Sequence, residues 1–353
     1  MIKPILILTA LEVERLAIEQ YLKNTEPVAH PATGTDYTKG TYRCNGETLE
    51  VIVARTDQTN VNAAIETERA IAHFDPEYTF FAGVAGGLKD VKVGDIVIGR
   101  DIYGYERGKA EKNNFKPRPQ FGASTYALEQ LAGQYAKSEA WKQTTEKLLN
   151  PEFAPVISTY TGTIASGEKV DSSIDSELHQ FLKQNASHAL AIEMEGLGFL
   201  EVCRMRPLVK TLLLRGISDL VQDKGQMDSK GSQPYASANV AAFLFGLLEQ
   251  LDFSDATTER TREQKLVEIM CKLYPGGLRD NQIWIAAGGD LSLINLGQSG
   301  KGQWVEAIRT LKLGGGGNIN IDSLIETVAE EYGDNKDVKE ILSVHDKKRN
   351  LLK

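Results

Sequence analysis

The chain has 353 residues, 41% hydrophobic and 25% charged, an ordinary globular balance that excludes a disordered, collagenous or coiled-coil chain. Forty basic against 48 acidic residues leave a net charge of −8, which argues against a nucleic-acid partner. No stretch approaches the roughly 18 consecutive apolar residues of a membrane span. At about 100–200 residues per domain, two or three domains are expected. Met1 to Leu8 runs into acidic residues without the small-residue cleavage site of a signal peptide. Three cysteines, Cys44, Cys203 and Cys271, are odd in number, far apart and without a CxxC. They point to a reducing, cytoplasmic setting and away from zinc. Five scattered histidines without an HExxH give no sign of a metal enzyme.

In chain order, Ile5 to Leu8 reads as a buried strand and Leu11 to Lys23 as a helix. Leu49 to Ala54 (strand) and Val61 to His73 (helix) follow, then strands at Thr79 to Ala82 and Asp95 to Ile98. Thr161 to Ala165 reads as a strand, Ser176 to Gln184 and Glu195 to Cys203 as helices, Thr211 to Arg215 as a strand and Tyr235 to Leu251 as a helix. Apolar strands separated by helices predict an α/β fold with its sheet covered on both faces. Ligands of such sheets bind at the carboxyl ends of strands. This domain is placed at residues 1–252, and a polar linker without hydrophobic periodicity at 253–261. Beyond it, Arg262 to Leu273, Leu278 to Ala287, Gly302 to Leu313, Ile321 to Tyr332 and Val338 to Leu342 have helical spacing. They predict a small all-α bundle over 262–345, with a basic tail at 346–353. From Arg260 onward the charges nearly balance, so the acidic excess lies in the first part.

Four segments, each just after or at the end of a predicted strand, carry candidate chemistry. Thr9 to Arg15 holds Glu12 and Glu14 in a first helical turn, where acids also simply suit the helix dipole. Gly83-Val84-Ala85-Gly86-Gly87-Leu88 lets a ligand approach the backbone closely, or forms a tight turn. Its spacing matches neither GxGxxG nor a P-loop. In Ile192-Glu193-Met194-Glu195-Gly196, read as the start of a helix, two carboxylates two residues apart point to different sides. One can face a cleft while the other caps amides. Arg215-Gly216-Ile217-Ser218-Asp219 sets an acid at the rim of a sheet, where a carboxyl withdrawn from water can act as a general acid.

Together, the acidic turn, GVAGGL with VGDIVIG, Ile164 to Gly167, IEMEG and RGISD resemble the nucleoside phosphorylase superfamily, most nearly the methylthioadenosine and adenosylhomocysteine nucleosidases. The resemblance covers about residues 3–250. It implies a mixed central sheet flanked by helices, cytoplasmic homo-oligomers and no cofactor. It implies that Asp219 protonates the purine N7, steadied by Ser218, and that Glu195 grips the ribose hydroxyls. Met194 would pack on the sugar, Glu193 would shape the pocket and Glu14 would polarise the attacking water. Val84, Ala85 and Gly86 would lie beside the ribose, with Val170, Arg215 and Tyr235 among the substrate contacts. The partner is then a purine nucleoside or nucleotide.

Hydrolysis or phosphorolysis depends on the nucleophile. Where a phosphorylase carries a Gly- and Arg-rich phosphate cradle, this chain has Leu11-Glu12-Val13-Glu14, and only Arg55 and Arg43 offer a phosphate site nearby. The chain departs from the nucleosidase pattern at Val84, where a small hydroxyl residue is common, and at Val170, where an aromatic often stacks on the base. A third departure is basic: Arg107, Lys109, Lys112, Lys116 and Arg118 fall where an apolar lip, often from the neighbouring subunit, covers the 5′ group. The expectation is a 5′-phosphorylated substrate such as ATP, bound by Arg107 and Lys109 first. Beyond the linker, Leu273 to Leu278, Ile283 to Asp290 and Trp304 to Lys312 look like a bacterial effector-associated domain, a death-like adaptor. This implies an adaptor-domain partner protein and a role in an antiphage system. Two alternatives stay open: a phosphate-dependent phosphorylase and a nucleotide-sensing adaptor without turnover.

Overall fold

A computed structural model describes residues 3–112, 114–153, 156–171, 173–206, 208–221, 227, 230–253, 265–339 and 341–342. The expected linker from 254 to 261 and the basic tail at 346–353 lie outside these residues. The chain divides into two compact units between Asp252 and Phe253.

The first unit is a mixed ten-stranded sheet. Strand β1 (Ile5–Thr9) is buried at every position, as a parallel strand covered on both faces must be. It pairs in parallel with β4 (Glu47–Arg55) on one side and with β5 (Tyr78–Gly87) on the other. Strand β12 (Lys210–Leu220) lies parallel to β5 and antiparallel to β6 (Ile96–Gly104). Strand β10 (Thr159–Ser166) joins β6 to the short β11 (Ala191–Glu193), and β11 pairs back with β5 at Gly86 and Gly87. Five strands thus close into a small barrel, and the carboxyl ends of β1, β4, β5 and β12 meet at one mouth.

Helix α1 (Glu12–Glu19) follows β1, and α2 (Asn60–Phe74) follows β4. Helix α6 (Gly196–Arg204) crosses α2 so closely that a Cβ on Gly198 would sit 1.9 Å from the Asn60 carbonyl oxygen. Helix α7 (Ser232–Leu248) is apolar nearly all round and packs on β12 and β5.

Several expectations need correction. The first helix stops at Glu19, and Lys23–Ala29 is an exposed antiparallel strand, β2, on β3 (Asp36–Cys44). Val84 to Gly87 is no turn; it is the end of β5, extended because it pairs with β12 and β11 on its two sides. Ala191 to Glu193, expected to lead into a helix, form a strand, and α6 starts at Gly196, one residue after the expected Glu195. Helices α3 (Tyr126–Tyr135) and α4 (Glu139–Leu148) were not expected. The basic stretch is no open loop: β7 (Gly108–Glu111) and β8 (Asn114–Pro117) form an antiparallel hairpin. Strand β9 (Gln120–Ala123) returns to β6, and α5 (Glu177–Asn185) follows β10.

The second unit is helical. Residues 265–273 are helical, followed by α8 (Ile283–Ala286), α9 (Gly300–Lys312) and α10 (Ile321–Tyr332). The helix expected over Leu278 to Ala287 is broken, because Asn281 and Gln282 both take left-handed φ values of 48° and 54°. Trp284 and Trp304 are fully buried in its core, and Trp304 Nε1 donates to the Tyr274 carbonyl at 3.0 Å. Gln303, also buried, accepts from the Leu278 amide at 3.2 Å and donates to the Leu296 and Gln298 carbonyls, tying the turns around α9 together. Among the described residues no helix is long and apolar enough to cross a membrane.

Candidate active site

The mouth of the barrel holds a cleft. Glu14, Glu195 and Asp219 all line it, although they come from positions far apart in the chain. Val84, Ala85, Gly86, Val170, Glu193, Met194 and Ser218 line it too.

Glu14 sits in the first turn of α1, and its carboxylate turns back over the end of β1. One oxygen accepts from the amides of Ala10 at 2.7 Å and Leu11 at 2.8 Å; the other accepts from Val84 at 2.7 Å. The residue is buried, and burial pushes its pKa up, opposed by Arg215 and these amides. Glu193 closes β11 and caps α6: one of its oxygens accepts from the amides of Glu195 at 2.9 Å and Gly196 at 2.7 Å. Glu195 sits at the N-cap of α6 and accepts from the Thr59 amide at 3.3 Å. The two glutamates therefore split their work, one capping a helix and the other facing the cleft with fewer partners.

Asp219 owes its position to a break in strand register. Between β12 and β5 the pairing slips at Ser218, so that Asp219 rather than Ser218 opposes Gly86. Such a bulge re-aims side chains at the end of a strand. Ser218 Oγ donates to Asp219 Oδ2 at 2.8 Å, and a Cβ on Gly86 would come within 3.3 Å of Asp219 Oδ1.

Arg215, expected among the substrate contacts, is fully buried behind the cleft and does not line it. Its Nη2 donates to Glu193 and, at 3.2 Å, to Glu195, and its guanidinium lies 4.5 Å from the Phe81 ring centroid. Opposite it in the sheet stands Gly83, where a Cβ would fall 2.2 Å from Arg215 Nη1 and 2.7 Å from Glu14 Oε1. Glycine is required there by close approach. One guanidinium thus serves three buried carboxylates, and the surplus negative charge has to be met by protons. Burial, with Glu193 and Glu14 adding to it against the pull of Arg215, pushes Glu195 up to about 8.

That shift has a stability consequence. The folded chain holds a proton on Glu195 that the unfolded chain releases above the ordinary carboxylate pKa of 4.5. The contribution is complete below that value and is lost as pH rises through the folded pKa. The melting temperature should therefore fall between pH 5 and 9, and Glu195→Gln should flatten the slope. Calorimetry over that range checks this, and an unchanged slope in the variant would refute it.

Other expected contacts lie elsewhere. Tyr235 is half-buried on α7, stacked on Phe153 at 5.0 Å and packed against Gly94, and does not line the cleft. Arg107 precedes the hairpin and Lys109 lies on it, outside the cleft lining of their own chain. Lys109 faces Lys116 across the hairpin, and both bind Glu111, at 3.1 and 3.0 Å. Arg55 ends β4 and is engaged by Glu12 and Asp57; Arg43 lies opposite Thr48, next to the turn that joins β3 to β4 and away from Arg55.

Several lining residues escaped the sequence reading: Leu11, Gln58, Lys169, Asp171 and Gln233. Gln58 follows the carboxyl end of β4, and Lys169 to Asp171 follow the Ser166-Gly167 motif, so the strand-end rule could have found them. Thr59 was missed as well. This β-branched residue holds φ at 94° while its hydroxyl caps α2 and its amide reaches Glu195; such strain is a mark of functional sites. Among the described residues no three His, Cys, Asp or Glu side chains are grouped to hold a metal.

A barrel of this topology, with carboxylates at the strand ends, defines a class that the comparisons identify. Residues 4–249 match the phosphorylase superfamily, and the chain belongs to that family. It is 27% identical over 233 residues to the ATP nucleosidase Cap17 of Escherichia coli (strain KTE188), covering 61% of this chain and 45% of that protein. The chain thus spans less than half the length of that relative. It is 28% identical over 228 residues to the 5′-methylthioadenosine/S-adenosylhomocysteine nucleosidase of Bacillus pumilus (strain SAFR-032), covering 61% of this chain and 85% of that protein. Among solved structures, futalosine hydrolase of Helicobacter pylori strain 26695 matches with a TM-score of 0.57 at 25% identity, over 71% of this chain and 99% of that one.

Proposed function

We propose that the chain is a nucleosidase that hydrolyses the bond between a purine base and ribose. Asp219 donates a proton to N7 of the base, so that the base leaves neutral. Glu195 binds the ribose hydroxyls and, in its ionised form, stabilises the positive sugar of the transition state. Glu14 orients and deprotonates the water. Met194 packs against the sugar, and Glu193 fixes the turn that carries Met194 and Glu195. Val84, Ala85 and Gly86 flank the ribose, and Val170 lies beside the base.

The observation that carries this reading is the charge around the cleft. Glu14, Glu195 and Asp219 line it together, and Arg215 is taken up by carboxylates. Lys169 is the one cation among the described lining residues, with 73% of its side chain exposed. Phosphate entering as a nucleophile would meet carboxylates; a neutral water would not. The experiment is a panel of purine nucleosides and nucleotides in phosphate-free buffer, read by chromatography. Free base and free sugar are expected. A strict phosphate requirement with sugar 1-phosphate as product would establish a phosphorylase instead.

The likeness to an ATP nucleosidase supports a substrate with a 5′-phosphate chain. Within one chain Lys169 is the cation at hand; Arg107 and Lys109 would reach the 5′ end from a neighbouring subunit of a homo-oligomer. The second unit is proposed as an effector-associated adaptor, which would make the nucleosidase the effector half of an antiphage system. Its helical core around Trp284 and Trp304 supports a separate module. A chain ending at Asp252 should then stay folded and keep its activity while losing any adaptor partner. Aggregation or inactivity of that chain would mean that the two units work as one.

A further inference from the structure

The loop that carries Val170 past the cleft has little backbone support. It leaves β10 at Ser166 and reaches the N-cap of α5 at Ser176. Gly167 is still tied to the sheet, its amide donating to the Glu193 carbonyl at 3.2 Å. From Glu168 to Asp171 no backbone–backbone hydrogen bond is made among the described residues. Val170 is 54% exposed. Asp171, the next residue and also part of the cleft lining, is 5% exposed, with none of its side chain open to solvent. Its carboxylate therefore presents nothing to a ligand; it reaches α5. Oδ1 accepts from Ser176 Oγ at 2.7 Å, and Oδ2 lies 3.1 Å from His179 Nδ1. An ionised carboxylate only accepts, so His179 holds its hydrogen on Nδ1. Ser176 Oγ accepts in turn from the His179 amide at 2.8 Å, capping the helix.

We propose that Asp171 and His179 are positioning residues of the cleft: the pair pins the loop, and the pinned loop sets how tightly the base is held. This role rests on the cleft being a purine nucleosidase site with Val170 beside the base. A buried carboxylate–imidazole pair gains little stability over apolar residues of the same size, but it can fix one geometry. The geometry fixed here is that of a stretch whose own backbone is unpaired. The reacting groups do not hang on it: Asp219 stands on β12, Glu195 at the start of α6 and Glu14 on α1. Loosening the loop should therefore weaken the hold on the base in ground state and transition state alike, which raises KM and leaves kcat as it was. His179 does not line the cleft and acts only through Asp171.

The test is steady-state kinetics of the full chain on adenosine and ATP, with calorimetric binding of adenine as a readout that needs no turnover. His179→Phe keeps a ring and removes the donor. It should raise KM and the adenine Kd by roughly tenfold, the worth of about one hydrogen bond, with kcat within about twofold of the wild type. His179→Asn can set its side-chain amide where Nδ1 stands, and should recover most of the affinity. A residue that only stabilised the fold would lower the melting temperature without this split and without the rescue. If His179→Phe does not fold, Ser176→Ala carries the test: it removes the donor to Oδ1 and should raise KM and Kd in the same way. Unaltered KM and adenine Kd in these variants, beside a wild type that cleaves the substrate or binds the base, would overturn the proposal. A fall in kcat with KM unmoved would do so too. A wild type that neither cleaves adenosine or ATP nor binds adenine would instead overturn the reading of the cleft, and the positioning role with it.

Discussion

Asp219→Asn is expected to lower base release by about 10²–10⁴-fold, the usual worth of a positioned proton donor, while the melting temperature stays near that of the wild type. The substitution keeps the size and shape of the side chain. Ser218 can still donate to its carbonyl oxygen, as it now donates to Oδ2 at 2.8 Å, so the bulge that sets β12 against Gly86 has no cause to move. What the amide lacks is an acidic proton. A purine leaves the sugar slowly as an anion and readily once N7 is protonated, so the whole loss should appear in the chemical step. Substrate binding should change little, and kcat should fall with KM nearly unmoved. A substrate whose base leaves well without protonation should recover much of the rate. Near-normal turnover of a purine substrate by the variant would remove Asp219 from the reaction.

The fold was legible wherever the hydrophobic pattern was unambiguous. Ile5 to Leu8, Thr79 to Ala82 and Thr211 to Arg215 are apolar runs that only a doubly covered sheet can bury, and each is a strand. The polar edges were not legible: β2 is exposed along almost its whole length, so no alternation marks it. Helix α3 could have been read, since its buried Leu128, Ala132 and Tyr135 stand at i, i+4 and i+7. Glycine misled in Val84 to Gly87. In the sequence it signals a turn; in the barrel it is what lets two strands and a carboxylate crowd β5. In the site, the acids could be found because each ends a strand or opens a helix. Arg215 was visible as a residue but its place was not, because facing inward from β12 is a property of the closed barrel, and the three glutamates that surround it meet only there. The hairpin cations show the converse: a dense local charge pattern in the sequence, which cross-strand pairing turns partly upon its own Glu111.

Arg215→Met should be the most destabilising single change in the site. The methionine fills much of the volume and can rest on Phe81, so the packing loss is small. The electrostatic loss is not. Glu193 and Glu195 lose their shared donor, and Glu14 loses the nearest positive charge, all inside the protein. Removing one partner of a buried ion pair costs about 3–5 kcal/mol, because the other is left charged and dry. For a unit of this size that is a drop of roughly 6–20 °C in melting temperature. The cost should depend on pH in a definite direction. Glu14 and Glu195 are already shifted upward by burial, and without Arg215 they rise further. At pH 5 both states can hold protons on these carboxyls and the penalty shrinks; at pH 8 the unfolded chain has lost them while the folded variant must keep them, and the penalty is full. Arg215→Lys should recover part of the stability, since it restores the charge but not the planar guanidinium whose Nη2 donates to both carboxylates. It should not restore full activity, because Glu195 would no longer be held against both Arg215 and the Thr59 amide. Calorimetry of the three proteins from pH 5 to 8 checks the argument. A melting temperature for Arg215→Met equal to that of the wild type at pH 8, or a deficit that stays constant across the range, would show that the three carboxylates do not depend on this cation.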